Sequence, residues 1–158
     1  MESTQTFARK NKSRAVVILI EGDQIAMIER RRYGRLFYVF PGGGVEQEET
    51  LKAAAVREAK EELGLDVKVL RLVARSDLLG RLHFYYLVER SGGEFGTGSG
   101  KELGRSSESE RGSVTPMWLP LEDLTRLPVL PERMAHYVSQ CVEQGWPDEV
   151  LWFDEQEE

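Results

Sequence analysis

The sequence predicts an α/β fold in which a mixed β-sheet is sandwiched between helices. Segments rich in β-branched and aromatic residues outnumber the helical segments, and both kinds recur along the chain. The length of 158 residues suits one domain, because two domains of that total length would each be short of core. We therefore expect residues 1–158 to form a single domain with flexible ends at 1–13 and 154–158.

The chain is predicted to open with a β-hairpin. Arg14–Glu21 is a continuous apolar run typical of a buried strand, and Gly22-Asp23 is a turn signal. The second strand is predicted over Gln24–Arg30. A basic loop, Arg30–Arg35, should follow, and then a short aromatic strand, Leu36–Phe40.

A helix is predicted to start at Glu49 or Thr50, run to about Leu63 and end at Gly64. Its Ala, Glu and Lys content favours a helix, and glycine is a common residue just past a helix end. Two strands rich in Val, Leu and aromatic residues are predicted next, over Val67–Ala74 and Leu82–Glu89.

The last third of the chain is less regular. Ser91–Ser113 is rich in Gly and Ser, and a loop of this length inside a compact domain is usually functional or disordered. Beyond it we predict a strand, a short helix and a terminal helix, at Met117–Leu119, Leu121–Thr125 and Pro131–Gln144. Residues 143–158 carry seven acids and no base, which predicts a solvated, partly frayed end.

Composition excludes several classes of protein. The net charge of −6 argues against a generic nucleic-acid coat, and a single Cys excludes an intrachain disulfide framework. Two His residues cannot by themselves complete a His/Cys zinc site. The longest apolar run, Ala15 to Ile20, is far shorter than the ~20 residues of a membrane helix, and the N-terminus is polar. We expect a soluble, cytoplasmic protein with no membrane association.

The predicted helix carries an acidic stripe beside its buried face. At 100° per residue, Glu58, Glu61 and Glu62 fall within one arc of ~100°. Neither Glu58 nor Glu62 has a basic residue three or four positions away, so their mutual repulsion disfavours the bare helix. A divalent cation would reverse that repulsion, since hard cations such as Mg²⁺ bind carboxylate oxygens. The alternative is a solvated acidic face.

A glycine triplet, Gly42-Gly43-Gly44, lies before this helix. Such a loop lets the backbone approach a ligand and present amide groups to an anion, although a plain turn is the alternative. Arginines of the predicted basic loop could bind phosphate groups, or could simply be solvated. The candidates are Arg30, Arg32 and Arg35.

The segment from Gly43 to Leu65 resembles the Nudix (MutT-like) box, G-x5-E-x7-R-E-U-x-E-E-x-G-U, where U is apolar. Gly43 is the first Gly, Glu49 the first Glu and Arg57-Glu58 the RE pair, while Glu61-Glu62 and Gly64-Leu65 complete the box. The box spans 23 residues, and all its fixed positions match at the right spacing.

This resemblance implies the Nudix fold and hydrolysis of a diphosphate linkage in a nucleoside diphosphate joined to another group, by water attack at phosphorus. It implies that Glu58, Glu61 and Glu62 hold Mg²⁺ or Mn²⁺, and that Arg57, paired with Glu49, orients them. Glu61 is either a further ligand or the general base. The catalytic set would then be Glu58, Glu61 and Arg57, with Gly42, Gly43 and Gly44 shaping the loop that binds substrate.

The sequence leaves two points open: the source of an acid outside the box, and whether the chain is catalytically active. Many family members add an acid from outside the box, and Thr115 and Pro116 occupy its usual region here. Glutamates of the Gly/Ser loop could replace it, or could be solvated: Glu102, Glu108 and Glu110. The alternative function is a catalytically silent Nudix-like module that binds nucleotides. We expect a small-molecule nucleotide-diphosphate substrate and no stable nucleic-acid binding, and the sequence is compatible with a homodimer.

Overall fold

The computed structural model describes residues 13–99 and 112–154. The elements, in chain order, are β1 (Arg14–Glu21), β2 (Gln24–Arg32), β3 (Arg35–Val39), β4 (Gly42–Gly44), α1 (Leu51–Leu63), β5 (Leu65–Leu78), β6 (Arg81–Gly93), β7 (Ser113–Pro120), a 3₁₀ turn (Leu121–Asp123), β8 (Val129–Leu130), α2 (Glu132–Gln144) and β9 (Leu151–Asp154).

The strands of the described residues form one curled, mixed sheet. Its order is β8-β3-β2-β1-β6-β5-β9, with β4 paired to β1 and β7 paired to β2. The β1–β6, β3–β8 and β5–β9 pairs are parallel and the others antiparallel. The hairpin of β1 and β2 shares only two register pairs at its turn; beyond it, residues 14–16 pair with β4, and β2 pairs with β3 and β7.

Alternate side chains of β1 enter two separate cores, one on each face of the sheet. Val16 and Ile18 pack in the core that contains Met134 of α2. Val17 and Leu19 pack in the other core, beneath the alanines of α1. The predicted α/β fold, with a mixed sheet sandwiched between helices, is confirmed.

Several predicted elements differ from the observed ones. The basic loop predicted over Arg30–Arg35 is wrong, because β2 continues to Arg32, β3 begins at Arg35 and only Tyr33-Gly34 turns. The run of charged side chains here is typical of a loop and gives no strand signal. The backbone is held in the sheet because Arg31 pairs with both Leu36 and Ser113. The strands after α1 are longer than predicted, and the short helix is a 3₁₀ turn.

The acidic end is also more ordered than its charge predicts. Leu151–Asp154 forms β9, which pairs in parallel with β5, and Phe153 is buried in the α2-side core. At the other end, the carbonyl of Ser13 accepts a hydrogen bond from the N–H of Val45 at 2.9 Å. The rest of the predicted flexible ends, 1–12 and 155–158, lies outside the described residues. Both helices of the described ranges are too short and too polar to cross a bilayer.

Candidate active site

A cavity of about 470 Å³ lies between the start of β1, the glycine strand β4 and one face of α1. Its wall carries both signs of charge. The acidic lining residues are Glu46, Glu58, Glu61 and Glu62, and the basic ones are Arg14, Arg30 and Arg57. The three glycines of β4 also line it, with an apolar part formed by Ile28, Val39, Phe40 and Val114.

Helix α1 carries the acidic residues into this cavity, and its ends are fixed by local signals. The side chain of Thr50 accepts a hydrogen bond from the N–H of Ala53 at 3.0 Å, which caps the first turn. Gly64 adopts the left-handed conformation, and its N–H donates to the carbonyl of Lys60. The helix therefore keeps the register that places Glu58, Glu61 and Glu62 on the cavity side.

Arg57 is the centre of a polar network between α1 and the preceding loop. Its Nε and Nη2 donate to Oε2 and Oε1 of Glu49, at 2.8 and 3.0 Å. Nη2 also donates to the carbonyl of Gly44 at 2.9 Å, while Nη1 donates to Glu58 at 2.9 Å and to Glu61 at 3.2 Å. The hydrogen bonds that Arg57 donates to Glu49 lower the pKa of Glu49 and raise the pKa of Arg57 further. Glu49 and Arg57 are therefore both charged at neutral pH.

Glu58 is the most buried of the cavity carboxylates, with 8% of its surface exposed. Burial raises its pKa, although the charge and hydrogen bond of Arg57 oppose the increase. The backbone of Gly43 passes directly against this carboxylate, and a Cβ at that position would overlap it. The second glycine of the triplet is thus required for the position of Glu58.

Glu62 is held from the other side of the cavity. The N–H of Gly42 donates to its Oε1 at 2.7 Å, and the carbonyl of Gly42 accepts from Nη2 of Arg14 at 3.2 Å. Gly42 lies so close to β1 that a Cβ would stand 2.5 Å from the carbonyl oxygen of Ala15. The backbone of one residue, Gly42, thereby connects a carboxylate of α1 with an arginine of β1.

The chemistry of the donors fits a hard divalent cation. Carboxylate oxygens from three residues of one helix line one cavity, and such oxygens are what Mg²⁺ and Mn²⁺ prefer. As they stand, no three His, Cys, Asp or Glu side chains of the described ranges converge into a closed metal cage. Instead Nη1 of Arg57 lies against Oε2 of both Glu58 and Glu61 and supplies positive charge at that point.

The structure brings together most, but not all, of the residues singled out in the sequence. Arg30 lines the cavity, whereas Arg32 and Arg35 are not among the residues that line it; their guanidinium groups lie over the rings of Tyr33 and Phe37. The loop glutamates considered as an extra acid, Glu102, Glu108 and Glu110, lie outside the described residues.

Two charged lining residues were missed by the sequence reasoning. Arg14 looked like the first residue of a strand, and only the pairing of β1 with β4 brings it to the cavity. Glu46 lies in the tight turn before α1, where its N–H donates to Glu49 at 3.0 Å. Glu46 follows the glycine triplet by two residues, and this closeness in sequence could have indicated that it lies near the cavity.

Comparison with known proteins gives a consistent picture. The NUDIX domain family model matches residues 10–141. An RNA pyrophosphohydrolase of Marinomonas sp. (strain MWYL1) is 33% identical over 61 residues, which are 39% of this chain and 38% of that protein. Diphosphoinositol polyphosphate phosphohydrolase 2 of Mus musculus is 35% identical over 88 residues, 53% of this chain and 49% of that protein. The chain thus spans half or less of the length of these relatives.

Among solved structures, an ADP-ribose pyrophosphatase from Streptococcus suis superposes with a TM-score of 0.60. The two share 23% sequence identity, and the match covers 90% of this chain and 98% of that one. At this level of identity the likeness concerns the fold.

Proposed function

The chain belongs to the NUDIX family of hydrolases, and from this premise we propose that it cleaves a diphosphate linkage with the help of a divalent metal ion. The substrate would be a nucleoside diphosphate joined to another group, and water would attack phosphorus. The observation that carries the proposal is the cavity itself, where three carboxylates of α1 face arginines and glycine backbone. Acidic groups suit a metal ion, and arginines suit phosphate oxygens.

Glu58, Glu61 and Glu62 would hold the metal, Mg²⁺ or Mn²⁺. When bound, the ion neutralises phosphate charge and makes water a better nucleophile. The repulsion within the acidic stripe supports this role, because a cation offsets it. Burial also disfavours the charged form of Glu58, and a nearby cation would stabilise that form.

The chain's own residues would keep these carboxylates in place. Arg57 fixes Glu58 and Glu61 through Nη1, while Glu49 and the Gly44 carbonyl hold the rest of the guanidinium. The Gly42 N–H holds Glu62. The side chain of Glu61 is 40% exposed, more than that of Glu58, so it can act either as a further ligand or as the base that accepts a proton from water.

Arginines of the cavity wall would contact the phosphate groups. Arg30 keeps the substrate-binding role proposed from the sequence, and Arg14 joins it. Arg32 and Arg35 are not among the lining residues, and they would make no direct contact with the scissile linkage.

The test is a substrate panel assayed with Mg²⁺ and with Mn²⁺ and read by product analysis. The names of the relatives suggest three members: a 5′-triphosphate RNA, a diphosphoinositol polyphosphate and ADP-ribose. Dinucleoside polyphosphates and an oxidised nucleoside triphosphate complete it. We expect metal-dependent turnover of at least one member, with ¹⁸O from labelled water in a phosphate product.

Two results would overturn the proposal. Label in a carbon-bound oxygen would exclude attack at phosphorus. Tight binding of a nucleotide without turnover of any panel member would instead indicate a catalytically silent binding module.

A further inference from the structure

A cluster of basic residues adjoins the cavity on the α2 face of the sheet; we call Arg14, Arg81 and His83 the basic cluster. Arg14 of β1 and His83 of β6 are register partners in the parallel pair, so their side chains leave the same face of the sheet. Arg81 precedes His83 by two residues on the same strand and shares that face. The topology therefore assembles three basic side chains from two neighbouring strands.

Among the described residues, the carboxylates of Glu58 and Asp77 offset part of the cluster's charge, Glu58 at Arg14 and Asp77 at His83. Within 13–99 and 112–154, no ion pair joins Arg14 or Arg81 to a carboxylate. The carboxylate that acts on His83 is Asp77, and this group also accepts a hydrogen bond from the N–H of Gly80 at 2.8 Å. Nδ1 of His83 lies 3.4 Å from Oγ of Ser76, a neutral partner.

The members of the cluster repel one another. Burial, and then the charges of Arg14 and Arg81, lower the pKa of His83 to about 4. Burial and the charge of Arg14 lower the pKa of Arg81 in the same way. An anion at this point would relieve the repulsion, just as a cation would relieve that of the acidic stripe.

The basic cluster is continuous with the proposed active site through Arg14. Arg14 lines the cavity and donates a hydrogen bond to the carbonyl of Gly42. The N–H of Gly42 in turn donates to Glu62. On its outer side, the guanidinium of Arg133 in α2 lies 4.9 Å from the ring of Phe153, the register partner of Ser76. Arg133 thus adds a positive charge beside the strand pair that carries Ser76.

We propose that the basic cluster binds a phosphate group of the substrate other than the two phosphates of the cleaved linkage, so that the enzyme prefers multiply phosphorylated substrates. The preference among substrates rests on the proposed function, whereas the binding of an anion by the basic cluster does not depend on it. The extra phosphate can come from a longer polyphosphate chain or from a phosphate ester elsewhere in the molecule, and guanidinium groups bind both.

The anion site is tested without any catalysis by NMR titration of the two histidines in EDTA, with inorganic phosphate as the probe and chloride to keep ionic strength constant. The pKa of His83 should rise when phosphate is added. Arg81→Gln should abolish the rise. Arg90→Gln is the matched control, because Arg90 lies on the same strand but pairs with Glu21 at 2.7 Å. A His83 that ignores phosphate, or that responds equally in Arg81→Gln, would overturn the proposal.

Substrate preference is tested with pairs that differ by one phosphate. Comparison of diadenosine tetraphosphate with diadenosine triphosphate tests the effect of polyphosphate chain length. Comparison of 2′-phospho-ADP-ribose with ADP-ribose tests the effect of an added phosphate ester. In one arm we expect a ratio of kcat/KM of at least ~10, the value of one charge-assisted hydrogen bond, and a ratio near 1 in Arg81→Gln. Arg90→Gln should keep the wild-type ratio.

Ratios near 1 in both arms of the wild type, or ratios that Arg81→Gln leaves intact, would overturn the inference. Absence of all turnover would count against the proposed function, and the phosphate titration would then decide the anion site alone.

Discussion

Arg57 and Glu49 form a two-point ion pair that joins α1 to the turn before it, with Nε and Nη2 at 2.8 and 3.0 Å from the two carboxylate oxygens. The pair fixes the plane of the guanidinium, and Nη1 is thereby directed at Glu58 and Glu61. The position of two cavity carboxylates consequently depends on a residue, Glu49, that lies outside the acidic stripe.

Arg57→Lys should therefore be damaging although it keeps the charge, because a lysine cannot make the two-point contact. We expect a fall in kcat of at least ~10-fold and a loss of roughly 1–3 kcal/mol in the free energy of unfolding. Steady-state kinetics and chemical denaturation measure both. Arg126→Lys is the control, since Arg126 and its partner Glu122 are 70% and 74% exposed and lie 3.8 Å apart. Equal behaviour of the two variants would contradict the positioning role.

Adjacent glycines provide a second test. Gly43→Ala should push the Glu58 carboxylate out of place, because the new Cβ would overlap it, while Gly44→Ala meets no atom within 4 Å. Neither glycine needs a positive φ, so backbone strain does not separate them. The rise in Tm on adding Mg²⁺ should be reduced in Gly43→Ala and kept in Gly44→Ala. Thermal denaturation with and without the ion gives the comparison, and the same rise in both variants would show that Glu58 does not bind the metal.

His83 should make stability depend on pH. Its pKa is about 4 in the folded protein against 6.5 ordinarily, so the unfolded chain takes up a proton between these values and the folded protein does not. The free energy of unfolding should decrease as pH falls from 6.5 to about 4, by less than ~1.4 kcal/mol per pH unit. Glu58, with a raised pKa, contributes with the opposite sign.

Denaturation midpoints measured against pH in wild type and His83→Gln isolate the His83 contribution. His83→Gln should flatten the decrease relative to wild type. A wild-type slope in His83→Gln would show that this histidine is protonated as readily in the folded protein as in the unfolded chain.

Neighbouring residues of β9 test the order of the acidic end. Phe153 is 3% exposed and stacks on Tyr85 with ring centroids 6.4 Å apart, so Phe153→Ala should cost about 3–5 kcal/mol of unfolding free energy. Trp152 is 54% exposed and lies over Arg75, and Trp152→Ala should cost less than ~1 kcal/mol. Urea denaturation distinguishes them. A small cost for Phe153→Ala would mean that β9 is not part of the stable sheet.

Much of the fold and the acidic part of the site were predictable because their determinants are local. The cap at Thr50, the stop at Gly64 and the spacing of Glu58, Glu61 and Glu62 are all read within one helix. The continuous apolar run of β1 likewise predicts a strand buried on both faces.

Long-range pairing explains what sequence reasoning missed. β9 is four residues long and becomes a strand through parallel pairing with β5, which local composition does not encode. Arg14, Arg81 and His83 are ordinary strand residues until the register of β1 and β6 brings them together. Arg32 and Arg35 resembled a phosphate-binding loop because charge in a turn and charge on a strand edge look alike in sequence.

The proposed metal site is tested by the metal dependence of turnover in wild type and in Glu62→Gln, on whichever panel substrate is cleaved. Glu122→Gln serves as control, because Glu122 is exposed and pairs only with Arg126 among the ion pairs of the described residues. We predict that EDTA abolishes wild-type turnover, that Mg²⁺ or Mn²⁺ restores it, and that Glu62→Gln lowers kcat by at least ~100-fold while its fold survives. Turnover that persists in EDTA, or that Glu62→Gln leaves at the wild-type level, would contradict the account.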